Sequence, residues 1–502
     1  MASAYILAVY FVVIVFAGLQ LKQKVKALKS PLRKLPGPWY APLTTLHLRY
    51  LFSTGTIWKL VERSHNKYGS IVRLGPRQVW ISDKEAMKEI LIKTDLPKVA
   101  MYAEISRDKF SPGLFGEMRL KRFLSPAFTV NYIDNLETFF KSTVRDVLNK
   151  YQTHIKEDPV YNAKNGIEVD LMDDLHNVAL DIMGECSFGK GFGQTNPDSL
   201  IEDGVDERIW KSIPRSIFDG LSKRYQSVYV KKFFRALGID LQFDWPAEMI
   251  TAIDAVVQRR KRTSDVERRD LLQHLIEEGK KPDTGTSMSA RDIVDQMAEI
   301  LLAGSETTSG TIGCLFLELA RNPDVRAKLL DSLPSKGFND EIVTSKSVRN
   351  EEEYEYLEAC IKENLRLHPI ASEMGRRTGN QWVNLCGYDL PPHTVVSASY
   401  RDLHRNEAVW PQAERFWPER WLPEDKRDGA PAPDMDAYYP FSGGKHSCIG
   451  INFAWAEMRM VAANLLQRFD VLEVPGQHID FRQYITMQFA TGHWKVILKP
   501  RN

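Results

Sequence analysis

The segment Phe441-Ser442-Gly443-Gly444-Lys445-His446-Ser447-Cys448-Ile449-Gly450 restricts this chain more than any other stretch. One cysteine stands among three glycines, just ahead of a helix-like run, NFAWAEMRMVAANLLQRF. Glycine lets a backbone turn tightly and lets a flat group approach it closely. A thiolate at the start of a helix gains from the positive end of the macrodipole and from backbone N–H groups without helical partners. Such N–H groups also tune the donor strength of a sulfur that binds a metal.

The remaining cysteines leave Cys448 to act alone. Cys186, Cys314, Cys360, Cys386 and Cys448 are odd in number and too sparse in 502 residues for a disulfide scaffold. No two have zinc-type spacing. Cys186, Cys314 and Cys360 lie in apolar helical contexts and read as small packed hydrophobes, while Cys386 in QWVNLCGYDL has no evident partner.

The pattern F-x-x-G-x-[RH]-x-C-x-G resembles the haem-binding loop of the cytochrome P450 superfamily, with matches at Phe441, Gly444, His446, Cys448 and Gly450. The resemblance implies that Cys448 is the thiolate ligand of a haem b iron, a ligation that favours O–O cleavage. It also implies that His446, where the family often has Arg, contacts a haem propionate.

Three further motifs agree in order. Ala303-Gly304-Ser305-Glu306-Thr307-Thr308 lies in a helical stretch from Ile293. Its small residues leave room for a ligand, and Thr307 can bond back to the Ala303 carbonyl and bend the helix. It resembles the family's oxygen-binding site, which puts Ala303 beside the cofactor and gives Glu306 and Thr307 a role in delivering protons to dioxygen. Glu363-Asn364-Leu365-Arg366 places carboxylate and guanidinium on one helix face. Phe416-Trp417-Pro418-Glu419-Arg420-Trp421 resembles the family's F-x-P-E-R segment. Together these imply a structural charge network of Glu363, Arg366 and Arg420 that supports the cysteine loop. The resemblance extends from Pro36-Gly37-Pro38 to the C-terminus, through Asp181 to Gly189 and Leu319 to Pro323.

One place departs from the family. Counting back from Leu124-Ser125-Pro126-Ala127-Phe128 puts Glu117 where an aromatic residue over the propionates is usual, and Lys121 where an arginine is usual. A glutamate there would repel a propionate. Either the register shifts, with Arg119 or Arg122 serving, or Lys121 acts as a point charge. A further propionate contact falls to Arg376 or Arg377.

Composition sets the outer bounds. With 67 basic and 65 acidic residues the net charge is +2, and 43% of the chain is hydrophobic, an ordinary globular balance that points to no nucleic-acid partner. The run Arg259-Arg260-Lys261-Arg262 reads as a solvated helix face. The charge is unevenly laid out, however. Ala4 to Leu21 is uncharged, and eighteen residues reach ~27 Å, enough to cross a thin bilayer. Lys22, Lys24, Lys26, Lys29, Arg33 and Lys34 follow with no acid among them, which holds the following chain in the cytoplasm. A cleaved signal peptide would carry its charge before the apolar run, and few core helices precede such a basic stretch. The expected organisation is a signal-anchor over 1–21, a basic, proline-rich linker over 22–38 and a catalytic domain over 39–502. No Asn-x-Ser/Thr occurs in the chain, which suits a body that does not face the lumen.

Periodicity predicts a mainly α body with small β-sheets, the cytochrome P450 fold by resemblance, behind a single N-terminal transmembrane helix. Helices are expected over Leu136 to Tyr151, Leu171 to Cys186, Ile293 to Asn322 and Tyr354 to Leu367, with strands near 70–82, 382–400 and 482–498. Pro282 to Ser289 reads as a polar connection.

The expected function is a membrane-anchored haem-thiolate monooxygenase. It would insert one oxygen atom from O₂ into a lipophilic small molecule, such as a terpenoid or polyketide secondary metabolite. No G-x-G-x-x-G follows a strand, so NADPH acts only indirectly, through NADPH–cytochrome reductase on the endoplasmic reticulum membrane, with cytochrome b5 as a second candidate donor. Lys445 with Lys121 or Arg122 are candidate docking contacts on the cytosolic side. A reductase-independent isomerase, dehydratase or peroxygenase, and a non-catalytic haem sensor, are the alternatives. The pairing of Glu306 with Thr307 favours oxygen activation. By resemblance the substrate pocket draws on 98–116, 208–245, 293–307, 370–375 and 484–489. These segments include the apolar Phe110, Phe115, Ile370, Met374, Ile485, Met487 and Phe489. Glu373 either orients a polar end of the substrate or faces solvent.

Overall fold

The computed structural model describes residues 25–99, 123–157, 166–196, 208–210, 247–262, 270–279 and 287–501, with Gly18, Leu21, Lys22, Tyr102, Lys121 and Gly285. The apolar run expected to be an anchor lies almost wholly outside them. The helices that frame the interior are α1 (Glu137–Glu157), α2 (Leu171–Phe188), α3 (Ala247–Arg262), α4 (Ala290–Arg321), α5 (Glu355–Leu367) and α6 (Ile451–Leu466).

Local chemistry explains where these helices begin. At Ser289 the hydroxyl accepts from the Asp292 N–H and the Asp292 carboxylate accepts from the Ser289 N–H, a reciprocal cap that starts the 32 residues of α4. Asp170 caps α2 by accepting from the Asp173 N–H, Asp173 and Asp174 sit in its first turn, and Gly189 ends it in the left-handed region. Among the described residues α4 is the one helix long and apolar enough to cross a membrane, and 78% of its most apolar stretch is inside the protein. It is a core helix, buried along most of its length.

Small residues set how closely α4 approaches its neighbours. A Cβ on Gly304 would lie 2.3 Å from Met183 Sδ, and one on Gly313 would lie 2.7 Å from Met172 Sδ, both on α2. The smallness of Gly304 therefore also serves helix packing, a role the sequence reading did not include. On the other flank α1 meets α6 through the buried rings of Phe140 and Phe453, 5.0 Å between centroids. Burying each ring contributes about 2 kcal/mol.

The strands are β1 (Ile71–Gly75), β2 (Gln78–Ile81), β3 (Ile167–Asp170), β4 (Glu373–Arg377), β5 (Val383–Leu385), β6 (Tyr388–Leu390), β7 (Val395–Ser399), β8 (Phe469–Glu473), β9 (Phe481–Gln483), β10 (Met487–Phe489) and β11 (Lys495–Pro500). One sheet runs β1-β2-β7-β4, with β2 and β7 parallel and the other pairs antiparallel. A second runs β3-β11-β8, while β5-β6 and β9-β10 are separate pairs. The four helices expected from periodicity appear within a few residues of their observed ends. The strands β3, β4 and β8 were not foreseen. Each is five residues or fewer, and β3 and β8 pair with the distant β11, as in Ile167 against Leu498. Runs that short carry too little periodicity to identify.

The Glu363 network is entirely buried. Arg366 donates to Glu363 twice, at 2.9 and 2.8 Å, and Arg420 Nε donates at 3.3 Å. The Trp421 indole and the Trp417 N–H also donate to the same carboxylate. Arg366 reaches the carbonyls of His404 and Ala413, so α5 is fastened to the chain that leads toward the cysteine loop. His404 extends the connection. Its Nε2 accepts from the Tyr439 N–H at 2.8 Å, which leaves Nδ1 to donate to the Arg366 carbonyl. Burial, then the Arg366 charge, pushes the imidazole down to about 3, so it stays neutral.

Candidate active site

The loop before α6 is closed by short-range bonds. The Cys448 N–H donates to the Phe441 carbonyl at 2.8 Å and the Ser447 N–H to the Gly444 carbonyl at 3.1 Å. Gly444 has φ +65°, and a Cβ there would lie 2.0 Å from the Leu91 carbonyl oxygen, so no side chain fits. The Gly450 N–H donates to the Cys448 sulfur. Helix α6 begins at Ile451, three residues past the cysteine, so the Gly450 N–H is the helix-start group that meets the sulfur. Burial raises the thiol's pKa, opposed by the Gly450 N–H, Lys121 and Lys98. The accessible surface of Cys448 faces an internal cavity.

Across that cavity stands α4, with Ala303, Gly304, Glu306, Thr307, Thr308 and Thr311 in the wall. The hydroxyls of Ser305, Thr307, Thr308, Ser309 and Thr311 each donate to the carbonyl four residues earlier, at 2.7 to 3.1 Å. The helix stays unbroken through this run. Glu306 is held by the β9–β10 hairpin. Its carboxylate accepts from Thr486 Oγ1 at 3.3 Å and its carbonyl from Gln488 Nε2 at 2.8 Å. Burial raises the Glu306 carboxyl to about 6, with Thr486 and Arg482 opposing.

Basic groups converge beside the cysteine loop. Arg376 is fully buried, and none of its guanidinium nitrogens has a hydrogen-bond partner among the described residues. Strand pleating sends Arg377 outward, so of the two adjacent arginines Arg376 faces the interior. Lys98 pairs with Arg376 through an isolated backbone bridge, and burial and Arg376 lower its ammonium to about 8. Lys121 Nζ donates to the Ser447 carbonyl at 2.6 Å, the Lys445 carbonyl at 3.1 Å and the Ser447 hydroxyl at 3.1 Å. His446 lines the cavity with Nδ1 enclosed and unpartnered. Burial, then Arg376 and Lys98, push it down to about 4, with Asp95 opposing. Arg376, a buried cation whose donors have no acceptor among the described residues, calls for an anion beside it. The two carboxylates of a haem fit that demand.

The structure places some of the residues expected in a substrate pocket on the cavity wall. Ile370, Met374 and Ile485 line the cavity, as does Glu373, whose carboxylate accepts from the Trp80 indole. Met487 does not. Its neighbours Thr486 and Gln488 face the cavity, and the pleat turns the Met487 side chain to the other side, while its N–H bonds the Ile370 carbonyl. Phe489 likewise packs against Trp494 and Phe481. Phe110, Phe115, Glu117, Arg119 and Arg122 lie outside the described residues. Lys121, half-buried, is engaged by the cysteine loop. Sequence reasoning did not single out Lys98, Thr486 or Gln488. Each acts through a partner 180 residues away or more, and no local pattern marks it.

A family model described as Cytochrome P450 matches residues 35–497. The chain is 30% identical over 492 residues to the cytochrome P450 monooxygenase FUS8 of Gibberella fujikuroi, covering 95% of this chain and 90% of that one. It is 28% identical over 471 residues to the cytochrome P450 monooxygenase acrD of Aspergillus aculeatus, covering 91% and 89%. Its fold resembles the crystal structure of the cytochrome P450DA heme domain, with a TM-score of 0.73 at 21% identity, over 93% of this chain and 98% of that chain.

Proposed function

The chain belongs to the cytochrome P450 family, and from that premise we propose that it is a membrane-anchored monooxygenase acting on a lipophilic small molecule. Electrons come from NADPH through a separate reductase, with cytochrome b5 as a second candidate donor. The catalytic domain faces the cytosol from the endoplasmic reticulum membrane. This reading draws on the uncharged run before Lys22, the basic residues after it, and the match to fungal monooxygenases. The substrate is a secondary metabolite such as a terpenoid or polyketide.

When bound, a thiolate-ligated haem supplies the reductive cleavage of dioxygen. The chain's residues prepare that chemistry. Cys448 would offer the sulfur, the Gly450 N–H would moderate its donor strength, Arg376, Lys98 and His446 would hold the propionates, and Lys121 would steady the cysteine loop beside them. Glu306, with its carboxyl at about 6, can take and release a proton near neutrality. Thr307 keeps its hydroxyl proton on the Ala303 carbonyl and presents oxygen lone pairs beside it. Apolar wall residues such as Ile300, Leu302 and Ile370 exclude water.

One observation carries the reading: Cys448 and the Glu306–Thr307 turn line the same cavity. Turnover under labelled dioxygen tests it. One labelled atom should appear in the product, only with NADPH and reductase present. Unlabelled product formed without reductase would instead support the isomerase or dehydratase alternative.

A further inference from the structure

Arg482 stands apart from the cations around Cys448. It belongs to β9 and lines the cavity with Tyr484, Ile485, Thr486 and Gln488. Its stem is fixed, because a Cβ on Gly55 would lie 2.9 Å from Arg482 Cβ, and the Gln483 N–H donates to the Gly55 carbonyl at 2.7 Å. Its guanidinium lies 5.5 Å from the centre of the Tyr484 ring. Nε is enclosed without an acceptor among the described residues.

The acids of the cavity bond other groups. The Arg482 charge helps to lower the Glu306 carboxyl, but Glu306 accepts from Thr486 and no ion pair with Arg482 closes, while Glu373 accepts from Trp80. The propionates would account for Arg376 and Lys98, and the cysteine loop for Lys121, all on other elements. What remains is a planar cationic fork, fixed at its stem, in a wall that also presents Ile300, Leu302, Ile370 and Met374. Such a fork matches a carboxylate in shape and charge. Exclusion of water from apolar surroundings strengthens that match.

We propose that Arg482 anchors a carboxylate of the substrate, so that the natural substrate is a lipophilic acid. This rests on the monooxygenase reading and names the substrate class within it.

The test is an optical binding titration of the haem-loaded full chain with straight-chain acids from octanoic to octadecanoic, each beside its methyl ester. The wild type should bind at least one acid about tenfold or more tightly than its ester. R482Q should bind acid and ester alike, and R482M should do the same. The carbonyl-bound band of the reduced protein, recorded on each variant, reports the cofactor site independently. Its absence from the wild type would strike at the haem-thiolate reading itself. With that band present, equal binding of acid and ester by the wild type, failure of every acid to bind, or an acid preference that survives R482Q overturns the proposal. If neither variant retains the band, the wild-type comparison of acid with ester decides alone.

Discussion

Lys121 Nζ lies 2.6 Å from the carbonyl oxygen of Ser447, the residue before Cys448. A single ammonium thus fixes the cysteine loop and also opposes the burial that raises the thiol's pKa. K121M should loosen the loop and weaken retention of haem by about 10- to 100-fold, the usual effect of losing a group that orients a metal ligand. The rate of haem transfer to excess apomyoglobin measures it. K121R should recover part of the loss.

Arg376 and Arg377 are adjacent in sequence and opposite in effect. R377Q changes an exposed side chain and should leave haem retention as it is. R376M removes a buried charge with unsatisfied donors. The apoprotein should gain stability, by about 1–3 kcal/mol, while the holoprotein loses haem faster. Urea unfolding of both forms separates the two effects.

Glu363 accepts from two arginines, a tryptophan indole and a backbone N–H with no exposure to solvent. E363A leaves two buried guanidinium groups without their carboxylate and should cost about 3–5 kcal/mol. R366K should also fail, because an ammonium cannot reproduce the fork that bonds Glu363 and three carbonyls together. Denaturant midpoints of the haem-loaded proteins check both.

Glu306 predicts a pH profile. Its carboxyl is raised to about 6 by burial, so the proton is held more tightly in the folded chain than in the unfolded one. Its contribution to stability is therefore fully present at acid pH and falls as pH rises through about 6. In turnover, one limb should titrate near the same value. Thr486 donates to the ionised form and lowers the pKa, so T486V should move that limb upward, and E306Q should remove it. Steady-state rates across pH, at saturating substrate and reductase, decide this.

Legibility from sequence followed the range of each interaction. The cysteine loop was readable because its ten residues are consecutive and Gly444 has no substitute at its φ. The Glu306–Thr307 turn was readable for the same reason, since its bonds run to the preceding turn of one helix. Arg376 could not be told from Arg377, nor Met487 from its neighbours, because one residue of strand register exchanges the faces. Lys98 drew no notice because its partner Arg376 arrives from a strand far along the chain. The room credited to Gly304 is claimed in part by Met183 from α2, a contact no pattern within α4 could reveal.

The central claim is that Cys448 ligates the iron of a haem. The direct measurement is the carbon monoxide difference spectrum of the reduced protein, wild type beside C448A. The wild type should show the carbonyl-bound Soret band at the wavelength that gives the family its number, and C448A should lack it while the Glu363 network keeps the chain folded. A band that survives in C448A would contradict the account.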